Sequence, residues 1–212
     1  MEKRIFSFWA NILRTLKILP TYPSKISKET LQSLPLRTYD GPIHFIDNEG
    51  NAQKAVRRIM GESILGFDTE SKPAFLRGEK YLPSIVQIAT ANEVYLFQLA
   101  KLKKLHALKP IFESQNLIKA GIAIRDDVLK LQEIENFNAA KFQDIGTLAQ
   151  SLGIEQTGMR NLAGIFLKCR ISKASQVTDW SQENLSAKQL TYAATDAWIS
   201  RILYLEVKKH IP

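Results

Sequence analysis

Short apolar segments come first as hairpin pairs along this chain and later alternate with helices. Strands are expected at residues 43–46, 63–70, 84–90, 93–97 and 117–121, with a short strand at 141–142 running into the next helix. Helices are expected at residues 51–60, 102–112, 124–133, 144–152, 160–167 and 186–208. This order predicts an α/β fold with a mixed sheet of about five strands flanked by α-helices.

The first 40 residues differ from the rest. Apolar residues spaced three and four apart predict an amphipathic helix within Met1–Leu19. Arg14 and Lys17 interrupt its apolar stretch and no small-residue cleavage site follows, so it is a poor signal peptide. The helix could dock on the main domain, bind a membrane surface or a partner, or fray. Residues 24–40 are expected to connect it to a main domain at residues 41–212.

The charge and the cysteine content of the sequence limit the kinds of partner and the cellular compartments that suit this chain. The chain has 29 Lys and Arg against 21 Asp and Glu, a net charge of +8. Half of that excess lies in residues 1–40, which hold seven basic and three acidic residues. The excess favours a polyanionic partner such as nucleic acid. A single cysteine excludes a disulfide framework and fits a reducing compartment, so we expect a cytoplasmic, nucleoid or nuclear protein that is not secreted. No apolar run is long enough for an integral membrane span.

Two carboxylates end the strand predicted at residues 63–70. Residues two apart on a strand point to the same face, so Asp68 and Glu70 share one face and repel each other. Such a pair is tolerable at a solvated strand end or around a bound cation. The pair alone does not decide between the two.

A buried carboxylate is expected in the last helix. The segment Leu190–Leu205 is apolar nearly all round, which indicates a buried helix, and Tyr192 and Asp196 lie four apart on one of its faces. A buried carboxylate costs several kcal/mol unless it is satisfied by a basic partner, a backbone amide, a metal or a catalytic role. Asp126 and Asp127, in contrast, start a helix, where acidic side chains are favoured by the helix dipole.

Acidic side chains at a strand end, a helix start and the middle of a helix could converge on one point. Clustered carboxylates bind Mg²⁺ or Mn²⁺. Two such ions stabilise the attacking and leaving oxygens during phosphodiester hydrolysis. A basic protein with such a cluster would suit a nucleic-acid substrate.

Three segments resemble the motifs of the DEDD 3′–5′ exonucleases. Phe67–Glu70 is similar to the first motif, Lys119–Leu131 to the second and Tyr192–Ala197 to the third. The tyrosine four residues before the last aspartate is typical of the DEDDy subgroup, which includes the catalytic domain of ribonuclease D and the exonuclease domain of the Werner syndrome helicase. The resemblance covers about residues 40–205 and implies a ribonuclease H-like fold.

The resemblance also implies roles for individual residues. Asp68, Glu70, Asp127 and Asp196 would hold two Mg²⁺ or Mn²⁺ ions, and Tyr192 would orient or deprotonate the attacking water. Asp127 is chosen over Asp126 because Asp127-Val-Leu-Lys-Leu matches the motif. The implied activity is release of nucleoside 5′-monophosphates from single-stranded 3′ ends of DNA or RNA.

The segment around residues 72–87 is a candidate for substrate contacts. Lys72 and Lys80 could grip a backbone phosphate while Phe75 stacks on a base, or the loop could simply be solvated. The resemblance also includes Gln87, in the following strand, which would be either structural or substrate-facing. Two alternatives to an exonuclease remain: a non-catalytic nucleic-acid-binding scaffold with the same fold, and a membrane-peripheral adaptor that acts through the N-terminal helix.

Overall fold

A six-stranded mixed sheet lies at the centre of the molecule. The computed structural model describes residues 22–76, 78–102 and 105–211, so the helix predicted within Met1–Leu19 lies outside the described residues. The strands are β1 (Ile43–Ile46), β2 (Ile64–Ser71), β3 (Pro83–Ala89), β4 (Val94–Gln98), β5 (Ile118–Gly121) and β6 (Phe142–Asp144). They lie side by side in the order β1-β4-β3-β2-β5-β6. The predicted α/β class is confirmed, with six strands rather than about five.

Strand pairing leaves the end of β2 open on one side. β2 runs antiparallel to β3 and parallel to β5, while β1 with β4 and β5 with β6 form the other parallel pairs. The pairing with β5 stops at Gly66, whereas the pairing with β3 continues to Ser71. Asp68 and Glu70 therefore project beyond the end of β5, where polar side chains can meet other elements.

Helices cover both faces of the sheet. They are α1 (Lys28–Ser33), α2 (Glu49–Ile59), α3 (Leu99–Leu102), α4 (Lys109–Glu113), α5 (Arg125–Ile134), α6 (Ile145–Ser151), α7 (Met159–Leu167) and α8 (Ala187–Lys208). None of the described helices combines the length and the apolar character that crossing a bilayer requires.

The single helix predicted at residues 102–112 is wrong. The structure has α3, a 3₁₀ turn at His106–Leu108 and α4 in its place. Pro110 lies in the first turn of α4. Proline has no N–H to donate and its ring clashes with the carbonyl four residues earlier, so a continuous helix would be broken there. The first turn of a new helix tolerates it.

The two faces of the sheet are packed differently. On one face Phe67 packs edge-on against Phe112, with ring centroids 6.3 Å apart. On the other face α8 crosses β2 so closely that a Cβ atom at Gly66 would clash with the backbone carbonyl of Ala197. Only glycine fits this crossing, which brings the middle of α8 next to the acidic end of β2.

Residues 24–40, predicted to be a connecting segment, contain the helix α1. Ser27 caps this helix, its Oγ accepting a hydrogen bond of 3.1 Å from the Thr30 amide. After the helix, Leu36 forms a parallel β-bridge with Arg170. The segment therefore lies against the C-terminal half of the domain.

Candidate active site

The acidic end of β2 faces α8. Asp68 and Glu70 share the face of the strand on which Gly66 contacts α8, because side chains two apart point the same way. Phe67 points to the opposite face and has no exposed surface. The Asp68 carboxylate accepts a hydrogen bond of 2.8 Å from the Thr69 amide, which fixes its orientation. The strand thus presents two carboxylates towards one helix.

The middle of α8 supplies Tyr192 and Asp196. Its start is fixed by a capping box, in which Ser186 Oγ accepts from the Gln189 amide and Gln189 Oε1 accepts from the Ser186 amide. Asp196 is only 6% exposed. The ring of Trp180, which is fully buried, lies 6.0 Å from the ring of Tyr192 between centroids. This packing restricts the tyrosine.

Asp127 lies in the first turn of α5. Its Oδ1 accepts a hydrogen bond of 2.7 Å from Thr69 Oγ1, which connects the helix start to β2. Asp126, one residue earlier, is exposed to solvent. Of the two adjacent aspartates, Asp127 is therefore the one directed towards the other three carboxylates.

Burial raises the pKa values of all four carboxylates, and repulsion from the other acids of the cluster adds to it at Asp68 and Glu70. Burial is the largest contribution for each of them. The charges of Asp196 and Asp127 add to it at Asp68, raising the pKa of that group well above its usual value. Burial and the three neighbouring acids raise the pKa of Glu70 to about 9. Burial alone is the main reason that the pKa values of Asp127 and Asp196 are raised. The site is therefore strained when all four groups are ionised.

The Tyr192 phenol is affected by the same environment. Burial, followed by the charges of Asp196 and Glu70, raises its pKa far above the ordinary value. The phenol is therefore protonated at neutral pH in the absence of other charges. Its hydroxyl can donate a hydrogen bond to a nearby oxygen.

The chemistry of these residues fits divalent cations. In the described ranges, no three His, Cys, Asp or Glu side chains form a ready-made coordination site. Likewise, none of the four carboxylates forms an ion pair with a described Lys, Arg or His residue. Four carboxylates without an ion-pair partner match the ligand preference of Mg²⁺ and Mn²⁺.

A cleft of about 640 Å³ opens over this cluster. Its acidic side is formed by Asp68, Glu70 and Asp196, with Tyr192 beside them, and Asp127 lies behind Thr69, which also lines the cleft. The volume is in the range of pockets that hold small ligands. The cleft can therefore hold a small part of a polymer next to the carboxylates.

The residues predicted to bind substrate lie elsewhere. Lys72, Phe75 and Lys80 are exposed on the loop after β2 but are not among the residues that line the cleft. Phe75 is 77% exposed, and Lys72 Nζ lies 5.2 Å from the centroid of the Tyr81 ring. The loop is available at the surface for contacts with a longer ligand.

Gln87 does not face the cleft, contrary to one of the roles expected for it. It lies directly opposite Asp68 in the β2–β3 pairing, but it has no exposed surface. The sheet and α8 enclose it, so it cannot contact substrate in this conformation. The resemblance left this residue as either structural or substrate-facing, and its burial favours the structural role.

The opposite side of the cleft was missed by sequence reasoning. It is formed by polar and basic side chains: Lys28, Gln32, Arg160, Asn161, Lys173 and Gln176. The one sequence signal was the concentration of positive charge in residues 1–40. That signal does not identify which of the basic residues reaches the site.

The comparisons with known proteins agree with this geometry. The chain matches a family model described as 3′–5′ exonuclease over residues 43–212. It is 24% identical over 201 residues to the exonuclease mut-7 homolog of Aedes aegypti, covering 83% of this chain and 28% of the relative. It is 30% identical over 154 residues to ribonuclease D of Gluconacetobacter diazotrophicus, covering 70% and 38%. It thus spans well under half the length of these curated relatives.

The fold is shared with a solved exonuclease domain. The Nibbler EXO domain of Aedes aegypti superimposes with a TM-score of 0.74 at 23% identity, covering 82% of this chain and 92% of that domain. The mixed sheet and its helices confirm the ribonuclease H-like fold that the motif resemblance implied. On the family match, the chain belongs to the 3′–5′ exonuclease family.

Proposed function

We propose that this domain is a metal-dependent 3′–5′ exonuclease of the DEDDy type that releases nucleoside 5′-monophosphates from DNA or RNA. The observation that carries the proposal is the set of four carboxylates, which come from three elements and form no ion pair with a described basic residue. Sequence motifs in the expected order and membership of the family support the same conclusion.

Each residue of the site has a proposed part in the reaction. Asp68, Glu70, Asp127 and Asp196 would hold two Mg²⁺ or Mn²⁺ ions, whose positive charge would stabilise the negative charge that develops on the phosphate. Tyr192 would orient or deprotonate the attacking water. Thr69 positions Asp127, and Trp180 restricts the tyrosine ring.

The substrate is proposed to be a single strand with a free 3′ end. One of the relatives is a ribonuclease D, which supports RNA as one substrate, and the exonuclease family supports 3′ ends more generally. Lys72, Phe75 and Lys80 would contact parts of the strand that extend beyond the cleft. Cys169, a buried free thiol, fits the cytoplasm or another reducing compartment.

A nuclease assay tests this proposal. Linear DNA and RNA oligomers labelled at the 3′ end should release labelled mononucleotide from the first time point, and only with Mg²⁺ or Mn²⁺ present. A 3′-phosphate should slow the release. Cleavage of a circular single strand would contradict an exonuclease.

A non-catalytic scaffold is the alternative. It would bind the same oligomers without turnover in either metal. Because all four carboxylates and Tyr192 are present, we favour the enzyme. Binding without any release of mononucleotide from either polymer would favour the scaffold.

A further inference from the structure

The polar and basic residues of the cleft come from three places: α7, the segment after α7 that holds Lys173 and Gln176, and α1. Arg160 and Asn161 come from α7, inside the region that matches the family model. Lys28 and Gln32 come from α1, and residue 28 lies before the first matched residue, 43. The short segment that precedes the family domain in this chain therefore forms part of the cleft.

We call residues 22–37 the N-terminal arm. Its apolar contact is Leu31, which is 6% exposed and lies over Gly164 of α7. A Cβ atom at residue 164 would come within 2.7 Å of Leu31 Cδ1 and 2.8 Å of Ile26 Cδ1. The absence of a side chain at Gly164 therefore makes the groove in which the arm lies.

Hydrogen bonds hold the arm at both ends. The Glu155 amide donates to the Ser24 carbonyl at 2.9 Å. Further along, Arg170 Nε donates to the Leu34 carbonyl at 3.0 Å. The arm is thus attached on either side of α1, which fixes the side of that helix that faces the cleft.

The two lysines of the arm have different surroundings. Lys25 forms an ion pair of 2.8 Å with Glu155. Lys28 is exposed at the cleft and forms no ion pair with any residue in the described part of the chain. Lys28, Leu31 and Gln32 lie three and four apart on α1, so the residue that anchors the helix is next to the two that line the cleft.

Arg160 also lines the cleft and carries a donor that is free to form a further hydrogen bond. Its Nε is buried and has no hydrogen-bond partner among the described residues. The cleft therefore has carboxylates on one side and, on the other, two lysines, an arginine and three amides that can donate. Such donors suit the phosphates and sugars of a nucleic-acid backbone.

We propose that the N-terminal arm is part of the substrate-binding surface, with Lys28 and Gln32 contacting the phosphates that flank the scissile one. This inference rests on the proposed exonuclease function. Ions held by the carboxylates would neutralise the scissile phosphate, whereas the neighbouring phosphates need basic partners of their own. Because phosphate is common to all nucleotides, the contact adds affinity without selecting a base.

Kinetics on two substrates test the proposal. A single-stranded oligomer labelled with fluorescein at its 5′ end has flanking phosphates, whereas thymidine 5′-monophosphate p-nitrophenyl ester has none. Lys28→Ala should raise KM for the oligomer roughly 3- to 10-fold, the size of one exposed charge-assisted contact, with kcat unchanged. In a plot of log affinity against log salt concentration, the negative slope should become shallower by about 0.7, because one phosphate contact is lost. Hydrolysis of the ester should stay at the wild-type rate.

Lys25→Ala is the matched control. It removes the same charge from the same arm, but Lys25 is paired with Glu155 and does not line the cleft. Its KM for the oligomer should equal that of the wild type, and Lys28→Arg should restore most of the affinity lost in Lys28→Ala. Equal KM values for the Lys28→Ala and Lys25→Ala variants would overturn the proposal, as would a change confined to the ester.

A second variant tests the arm without changing the cleft residues. Gly164→Val places a side chain in the groove under Leu31, so the arm should detach and KM for the oligomer should rise as it does for Lys28→Ala. The melting transition shows whether the domain is still folded. A folded Gly164→Val protein with wild-type KM would count against the arm.

If the domain is not an exonuclease, the result would differ from that expected if only the arm proposal is wrong. In that case the wild type would hydrolyse neither the oligomer nor the ester. Fluorescence anisotropy of the same labelled oligomer would still compare Lys28→Ala with Lys25→Ala. Weaker binding of Lys28→Ala alone would support the arm as a nucleic-acid contact, and equal binding would reject it.

Discussion

Thr69 Oγ1 donates a hydrogen bond of 2.7 Å to Asp127 Oδ1, and this bond connects the end of β2 to the first turn of α5. The amide of the same residue donates to Asp68. Thr69 therefore orients two of the four carboxylates while contributing no ligand of its own. Thr69 belongs to the first motif and contacts the second, at a residue 58 positions further along the chain.

Replacing Thr69 tests this positioning. Thr69→Val keeps the shape but removes the hydroxyl, whose hydrogen bond lowers the pKa of Asp127. Hydrogen bonds to charged groups contribute about 1.5–3 kcal/mol, so kcat should fall by roughly 10-fold or more. Thr69→Ser should retain most of the activity. Wild-type kcat for Thr69→Val, together with an unchanged pH–rate profile, would show that the bond is not needed.

The adjacent aspartates provide a second comparison. Asp127→Asn should abolish release of mononucleotide because it removes a charged oxygen donor from the cluster. Asp126→Asn changes an exposed residue one position away and should leave turnover within about twofold of the wild type. The measurement is kcat on one oligomer in Mg²⁺. Loss of turnover in both variants would mean that Asp126 also takes part.

Metal binding should be visible in thermal stability. Repulsion among the carboxylates strains the metal-free site, and bound cations relieve it, so Mg²⁺ or Mn²⁺ should raise the melting temperature. For a chain of this size, 1 kcal/mol corresponds to roughly 2–4 °C. Asp196→Asn should lose both this shift and the activity. Identical melting of the wild type with and without saturating Mn²⁺ would argue against the site.

The pKa of Glu70 predicts how stability depends on pH without metal. That pKa is raised from 4.5 to about 9 by burial and by the neighbouring acids. Between these values the folded state binds more protons than the unfolded state, so the free energy of unfolding should fall as pH rises from about 4.5 to about 9. Melting temperatures in EDTA at several pH values measure this. Glu70→Gln should flatten the decline, whereas Glu49→Gln, at an exposed position, should not.

Substitution of Tyr192 should change the protein in a different way from substitution of a carboxylate. Tyr192→Phe keeps the ring and its packing against Trp180 and deletes only the hydroxyl. The metal-induced rise in melting temperature should survive, while turnover should fall by roughly 10²–10⁴. Affinity for the oligomer should change little. Near wild-type turnover in Mg²⁺ would reduce Tyr192 to a buried aromatic residue of the helix.

Much of the carboxylate cluster follows from local geometry. Strand alternation places Asp68 and Glu70 on one face, and a spacing of four places Tyr192 and Asp196 on another. What brings the two faces together is the close crossing at Gly66, which is a property of packing rather than of periodicity. The ordered motifs, not the alternation, indicated that these faces meet.

Other features depended on contacts that no local pattern records. α1 has only six residues, and its main apolar contact is with Gly164, more than 100 positions later. Isolated helices of this length are unstable, so the sequence carried no helical signal there. Gln87 was misplaced for a related reason, because its burial depends on α8, which covers that face of the sheet.

The crossing of α8 over the sheet also determines when this chain can acquire its shape during synthesis. The hairpin of β3 and β4 is complete at Gln98, but its apolar face is covered by the part of α8 around Ala197, about 100 residues later. At about 5–20 residues per second, the ribosome needs roughly 5–20 s to make that stretch. Throughout this interval the nascent sheet presents uncovered Ile85, Ala89 and Leu96, and it lacks Asp196. The carboxylate cluster of the newly made chain is therefore completed only after α8 has been synthesised.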